Sequence, residues 1–134
     1  MATNSYIGKE YGGIIKAVYC HYDGDVAGVG EALKQYYTHD DVIDKLINLG
    51  DLSYLGQYVG PKEGQPHDFN HPAEGVTVAY HRDRGESLLI KQFGDETEYS
   101  EDAKNNYIKY VYLWKNGTWL LSKPQDEGAQ FKPF

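Results

Sequence analysis

One tight turn constrains the fold more than any other feature: the pair Asn116-Gly117 separates two segments rich in aromatic and β-branched residues. Asn-Gly is the preferred pair for a two-residue hairpin turn, because both residues tolerate the positive φ that this turn requires. Residues 107–114 precede the turn and residues 118–121 follow it, and both segments have the composition of strands. The sequence therefore predicts an antiparallel hairpin here.

A second strand is predicted at 14–22, directly after Gly12-Gly13, with residues 6–8 as its partner across a turn at 9–13. Successive side chains of a strand point to opposite faces of the sheet. One predicted face carries Ile14, Lys16, Val18, Cys20 and Tyr22, and the other carries Ile15, Ala17, Tyr19 and His21.

Helical periodicity follows this strand. Val29, Leu33 and the pair Tyr36-Tyr37 recur at helical spacing and predict a helix over 26–37. A second helix is predicted from Asp40 to about residue 49, because acidic residues suit the first turn of a helix and Gly50 suits its end. Residues 75–81 and 87–93 are predicted strands, and residues 100–104 a short helix.

These elements predict one α+β domain over residues 1–134: an antiparallel sheet of about four to six strands, with two consecutive helices packed on one face. Residues 56–75 contain seven Gly or Pro residues and predict a long loop, a feature that is often functional. The polar segment 123–134 predicts a loose C-terminal tail.

Net charge and composition exclude some classes of function for this chain. The chain has 13 Lys and Arg against 20 Asp and Glu, a net charge of −7. This balance argues against nucleic-acid binding, which requires many cations to neutralise phosphates. The excess of acidic residues either keeps the protein soluble or forms an acidic face that imitates nucleic acid and blocks another protein. The lone Cys20, the lack of a long apolar stretch and the lack of a signal peptide predict a cytoplasmic protein with no membrane segment.

The first candidate ligand site is the bend that follows the strand at 14–22. His21, Tyr22 and Asp23 precede a stretch in which Gly28 and Gly30 flank one residue. Free amide groups at the start of a helix attract anions, and glycine lets a phosphate approach closely. The alternative is a glycine-rich turn capped by Asp25.

The second candidate lies in the segment that holds Tyr80, His81, Arg82 and Arg84. These are the only two arginines of the chain, and in an extended segment they share one face. Arginine binds phosphate through two parallel hydrogen bonds, which lysine does not. The alternative is a pair of surface arginines bound to Asp83 and Glu86.

Other residues were weighed for chemistry. Tyr110, Tyr112 and Trp114 alternate on one strand, either as a platform for stacking bases or, as we favour, as core packing. His67 and His71 have a spacing known from zinc sites, but the flanking prolines oppose a helix, so we expect no metal. Cys20 is predicted to be a buried apolar residue. The sequence predicts no cofactor and names no catalytic residue.

The motifs at 19–24 (Tyr-Cys-His-Tyr-Asp-Gly), 28–30 (Gly-Val-Gly) and 80–86 (Tyr-His-Arg-Asp-Arg-Gly-Glu), with the Tyr-rich closing hairpin, resemble a family of small uncharacterised proteins of tailed bacteriophages and prophages. The resemblance covers about residues 5–121. It implies a phage accessory protein in the cytoplasm of the infected bacterium. Such products often counter host defence, and some are homo-oligomers that sequester nucleotide signals.

The resemblance and the residues together predict a binding protein that sequesters a phosphorylated nucleotide of the cyclic ADP-ribose or ADP-ribose type. In this hypothesis Arg82 and Arg84 hold phosphates, Gly28 and Gly30 donate amides, and Asp23 binds ribose. His21, Tyr22, Tyr80 and His81 complete the predicted site. One alternative is an enzyme that cleaves such a signal with His21 and His81 as acid and base. Another is an acidic inhibitor that binds a host defence protein.

Overall fold

The computed structural model describes residues 2–134, which begin with a β-hairpin. Ser5–Tyr11 (β1) pairs antiparallel with Ile14–Cys20 (β2) across a turn in which Gly12 and Gly13 both have positive φ. Val18 and Cys20 face one hydrophobic core, whereas Ile15 and Ala17 face a second core on the other side of the sheet. The predicted alternation of β2 is therefore confirmed.

After the hairpin, a π-helical turn at Val26–Gly30 runs directly into the first α-helix. The remaining elements are Glu31–Tyr36 (α1), Asp40–Ile47 (α2), Leu52–Tyr54 (β3), Val78–Ala79 (β4), Tyr80–Arg84 (α3), Lys91–Phe93 (β5), Glu96–Asn105 (α4), Tyr110–Lys115 (β6), Thr118–Ser122 (β7) and Lys132–Pro133 (β8).

The hairpin β6–β7 is confirmed. Asn116 and Gly117 both have positive φ, at 52° and 75°, as a two-residue hairpin turn requires. Trp114 pairs with Trp119, and their rings meet edge to face with centroids 5.4 Å apart. The strand begins at Tyr110 rather than at 107, because Tyr107 has a φ of 57° and ends the turn after α4.

The sheet corrects the predicted architecture. It is one open sheet of eight strands in the order β4-β3-β2-β1-β6-β7-β8, and β5 pairs with β2 beside β3. It is mixed rather than antiparallel, because β1–β6 and β2–β3 are parallel pairs. Parallel neighbours need a crossover connection. Here α1 and α2 connect β2 to β3, and α4 connects β5 to β6.

Helices cover both faces of the sheet. On one face, residues of α1 and α2 such as Leu33, Ile43 and Leu46 pack against Ile7, Val18 and Tyr112. On the other face, Tyr99 and Ala103 of α4 pack against Tyr6 and Ile15. The two consecutive helices thus lie on one face as predicted, and α4 adds a third layer.

Several segments depart from the sequence-based expectation; the predicted strand at 87–93, for example, is limited to Lys91–Phe93. The predicted strand at 75–81 ends at Ala79, where a short helix, α3, begins. This helix is stable locally, because the Asp83 carboxylate accepts the amide of Ala79 at 2.8 Å and Gly85, with a φ of 72°, ends the helix. The tail is also not loose: β8 pairs with β7, and Phe131 stacks on Tyr99.

Candidate functional site

The bend after β2 uses its glycines for packing rather than for anions. The amides of Gly28 and Gly30 donate to the carbonyl of Asp25 at 3.1 and 3.2 Å, and the amide of Val29 donates to the carbonyl of Asp23 at 2.7 Å. A Cβ on Gly28 would lie 2.2 Å from the carbonyl oxygen of Asp23, so only glycine fits there. These three amides are already paired within the bend, which leaves them poor donors for a phosphate.

The same bend forms one wall of the largest cavity described, with a volume of about 590 Å³. We call this cavity the acidic groove. Its lining comes from the bend, from α1, from the end of β3 and from the long loop: Asp23, Asp25, Ala27, Gly28, Val29, Ala32, Tyr36, Tyr54, Leu55, Gln57 and Gly75. The charged residues in this lining are both acidic, so its field favours a cation.

Several wall residues of the acidic groove are exposed, whereas Val29 and Leu55 are buried. The side chains of Tyr36 and Tyr54 keep exposed fractions of 37% and 39%, although most large apolar residues of the chain are buried. Asp23 has a φ of 57°, in the left-handed region, where Asp is among the few side chains tolerated. Within residues 2–134, neither Asp23 nor Asp25 forms an ion pair.

The two arginines do not share a face. Both lie on α3, where residues two apart point about 200° away from each other around the helix axis. Neither lines the acidic groove, so the structure does not bring Arg82 or Arg84 to the cavity that holds Gly28. The expected geometry fails because the extended segment ends at Ala79, three residues before Arg82.

The Arg82 guanidinium forms hydrogen bonds that join separate segments of the chain. Its Nη1 donates to the carbonyl of Val59 at 2.6 Å, and its Nη2 donates to the carbonyl of Thr77 at 2.7 Å. Its Nε donates to Asp83 at 2.8 Å. Because Val59 lies near the start of the long loop and Thr77 lies just after its end, Arg82 holds the two ends of that loop together.

Asp83 and His67 lie buried beside Arg82 in the same set of contacts. The His67 Nε2 lies 3.2 Å from the Asp83 carboxylate, and both side chains are almost fully buried. The His67 Nδ1 accepts the amide of Ala73 at 2.9 Å, so in the neutral ring Nε2 carries the proton. Burial alone would raise the pKa of Asp83, but the hydrogen bonds from Arg82 and the Ala79 amide, with the nearby His67 ring, outweigh it and lower that pKa.

Arg84 occupies a different environment. Its guanidinium carbon lies 4.2 Å from the ring centroid of Phe69 and 5.0 Å from that of Tyr80, and the guanidinium pairs with Glu86. Tyr80 and Glu86 line a second cavity of about 480 Å³, which we call the Tyr80 cavity; its lining is Asp51, Tyr80, Gly85, Glu86, Ser87 and Leu89. Burial raises the pKa of Asp51, although the amide of Tyr19 and Lys91 both act to lower it.

The end of β2 and the start of α3 lie on either side of β3. The amide of Tyr22 donates to the carbonyl of Ser53, and the amide of Tyr80 donates to the carbonyl of Asp51. His21 is half-buried, and its Nδ1 lies 2.7 Å from the Tyr19 hydroxyl. His81 is exposed on α3, with its Nδ1 2.6 Å from the carbonyl of Glu86. The predicted residues are therefore divided between separate surroundings.

Several residues of the two cavities were not predicted from the sequence. Tyr36 has helical spacing typical of a core position, yet Tyr37 is buried in its place. Asp51, Tyr54 and Phe69 are not among the predicted site residues. The fold places Tyr54 in the acidic groove, Asp51 in the Tyr80 cavity and Phe69 against the Tyr80 ring. In contrast, the interpretation of the strand 107–114 as core packing is confirmed, because Tyr112 and Trp114 are buried.

No family model, curated protein or solved structure matches this chain. The resemblance to small phage proteins therefore stays a prediction. In the part of the chain that the structure describes, no helix is both long enough and apolar enough to cross a bilayer. Across residues 2–134, no group of three or more His, Cys, Asp or Glu side chains is arranged to hold a metal ion.

Proposed function

We propose that this chain is a protein-binding module whose acidic groove holds a lysine- or arginine-bearing segment of another protein. The observation that carries the proposal is the composition of the groove lining. Two carboxylates, Asp23 and Asp25, stand beside the exposed rings of Tyr36 and Tyr54 in a cavity of about 590 Å³. This chemistry attracts cations and repels phosphates.

Two kinds of attraction act together in such a groove. A cationic side chain is stabilised by contact with the face of a tyrosine ring, and a charge-assisted hydrogen bond to a nearby carboxylate stabilises it further. The net charge of −7 adds a long-range field that speeds the encounter with a basic partner. The rings also supply apolar area for the carbon stems of lysine and arginine.

On the resemblance to phage proteins, we place the partner among the defence proteins of the bacterial host. Capture of a basic segment that normally contacts nucleic acid blocks that contact. The chain then acts as an acidic inhibitor, and this role needs no catalytic residue.

The test measures the binding of a fluorescein-labelled peptide of alternating lysine and serine by fluorescence anisotropy. We expect wild-type protein to bind this peptide and not the matching peptide of glutamate and serine. The double variant Asp23→Asn, Asp25→Asn should bind the lysine peptide about tenfold more weakly, the equivalent of about 1.4 kcal/mol. Asparagine is chosen because it tolerates the positive φ of Asp23.

The matched control is the double variant Glu63→Gln, Glu101→Gln, which removes the same two charges at exposed positions outside the groove. It should retain most of the wild-type affinity at about 0.15 M salt, where charges further apart than about 8 Å are screened. Equal losses in the two double variants would show that net charge alone drives binding, and the groove proposal would be wrong.

Nucleotide capture at the predicted residues stays a prediction. The geometry of the bend opposes it, because the amides of Gly28 and Gly30 are paired and the nearby carboxylates repel phosphate. The same geometry gives no specific support to an enzyme that uses His21 and His81, since each ring is already engaged by a different neighbour. Titration of ADP-ribose into the wild-type protein, followed by analysis of the recovered ligand, tests both hypotheses.

A further inference from the structure

The Tyr80 cavity shares no lining residue with the acidic groove, and the chemistry of its lining is different. Its volume of about 480 Å³ is within the range of small-molecule sites. It combines an aromatic ring, a hydroxyl, a half-buried carboxylate and an exposed apolar side chain in Tyr80, Ser87, Asp51 and Leu89. A planar ligand with polar substituents matches this combination.

Arg84 supplies a cation next to this cavity. Its side chain is half-exposed, and the rings of Phe69 and Tyr80 hold the plane of the guanidinium in place. Its ionic partner among the described residues is Glu86, which is itself about half-exposed and lines the cavity. An exposed ion pair of this kind contributes little stability, so the guanidinium can exchange Glu86 for a ligand phosphate.

The apolar and acceptor groups are placed for the rest of such a ligand. Leu89 has an exposed fraction of 57%, although it is a large apolar residue, and with Tyr80 it offers two apolar surfaces for a base. Asp51 accepts the amide of Tyr19 at 2.9 Å. A carboxylate accepts several hydrogen bonds, so Asp51 retains capacity for the hydroxyls of a ribose.

From this arrangement we propose that the Tyr80 cavity binds a nucleoside phosphate, with the base between Tyr80 and Leu89, the ribose at Asp51 and the phosphate at Arg84. This site is independent of the acidic groove. It uses Tyr80 and Arg84 of the residues predicted from the sequence, and it does not use Arg82, Gly28 or Gly30.

The experiment compares adenosine 5′-monophosphate with adenosine by isothermal titration calorimetry, with inorganic phosphate as a third titrant. We expect the monophosphate to bind about tenfold more tightly than adenosine, because a charge-assisted hydrogen bond pair stabilises the phosphate. Inorganic phosphate should bind far more weakly than the monophosphate, because it lacks the base. The variant Arg84→Gln should lower the affinity for the monophosphate to that for adenosine and leave adenosine unchanged.

A second variant changes affinity in the opposite direction, so that misfolding does not imitate the result. Glu86→Gln removes the competing carboxylate and should tighten the binding of the monophosphate about threefold, within the usual strength of an exposed ion pair. The control Lys62→Gln removes one exposed positive charge from the long loop and should leave both affinities unchanged.

Three results would overturn the proposal. The first is the absence of binding by the wild-type protein to both adenosine compounds. The second is equal affinity for the monophosphate and adenosine, which would show that Arg84 meets no phosphate. The third is weaker binding of the monophosphate by Glu86→Gln. Binding of the lysine peptide by the acidic groove should be unchanged in all of these variants, which separates this test from the test of the groove.

Discussion

Four of the 13 tyrosines of this chain are buried in the core, and Tyr6 is one of them. Tyr37, Tyr99 and Tyr112 are fully buried, and each hydroxyl donates to a backbone carbonyl at 2.7 or 2.8 Å. Burial raises the pKa of Tyr37 to about 12, because the anion would lose its hydration. An unusual residue count thus marks a binding surface only where the rings are exposed, as Tyr36 and Tyr54 are.

Cys20 gives a prediction at the residue scale. Burial raises the pKa of its thiol to about 12, and the residue has no exposed surface. Because only the thiolate reacts with Ellman's reagent, we expect no reaction of the folded protein at pH 8 on the timescale of minutes. One thiol per chain should react in guanidinium chloride. Rapid reaction of the folded protein would show that this end of β2 opens readily.

At the scale of an element, α3 holds the two ends of the long loop together through Arg82 and Asp83, which we call the clasp. Arg82 donates to the carbonyls of Val59 and Thr77, and Asp83 accepts from Arg82 and from the amide of Ala79 and lies 3.2 Å from His67 Nε2. A five-residue helix has little intrinsic stability. These side-chain bonds and Gly85 therefore stabilise the helix and the loop together, so the chain after Ala79 forms a helix instead of continuing the predicted strand.

The clasp predicts a large effect of one substitution. Asp83→Asn leaves Arg82 without its buried ionic partner and should lower the free energy of unfolding by about 3 kcal/mol. Hydrogen exchange of residues 56–77 should accelerate more than that of β1 and β6. The control Asp68→Asn alters an exposed carboxylate in the same loop and should have little effect. Uniform acceleration across the sheet would contradict a local clasp.

The pH dependence of this effect has a definite sign. Burial would raise the pKa of Asp83, but the folded protein holds that pKa below its ordinary value because the bonds from Arg82 and the Ala79 amide, with the nearby His67 ring, outweigh burial. The stabilisation is therefore complete above a pH of about 4 and is lost as the pH falls further. Thermal unfolding at several pH values should show the difference between wild type and Asp83→Asn shrinking only at acidic pH. A constant difference down to a pH of about 2.5 would contradict this assignment.

At the scale of the molecule, the structure has two cavities that share no lining residue. The acidic groove lies between the bend after β2, α1 and the long loop, while the Tyr80 cavity lies by α3 and the segment before β5. The groove lining carries the carboxylates of Asp23 and Asp25. The cavity lining carries the Tyr80 ring and two carboxylates, and the Arg84 guanidinium packs against that ring. We therefore propose different ligands for the two sites, a cationic segment for the groove and a nucleoside phosphate for the cavity.

Association between copies of the chain is a prediction at this scale. We propose a homo-oligomer, because Leu88 and Tyr107 are large apolar side chains that remain exposed. Native mass spectrometry should show a mass that is a multiple of that of one chain. Substitution of Leu88 by Ser should weaken this assembly while leaving the monomer folded. A monomeric wild-type protein at micromolar concentration would contradict the proposal.

The sequence determined the features that depend on neighbouring residues. Asn116-Gly117 determined the hairpin β6–β7, since the required φ values belong to those two residues. The alternation in β2 determined its two faces, and the pattern from Asp40 to Ile47 determined α2. Each of these features follows from local backbone preference or from the period of side chains along one element.

Only the tertiary structure decided the strand directions, the packed tail and the surroundings of the candidate site residues. Whether β1 and β6 run parallel depends on the path of α4 across the sheet, which no local pattern encodes. Arg82 and Arg84, two positions apart in sequence, acquired different roles because a clasp to a distant loop turned their segment into a helix. Such roles depend on contacts between residues far apart in the chain, and those contacts exist only once the chain has folded.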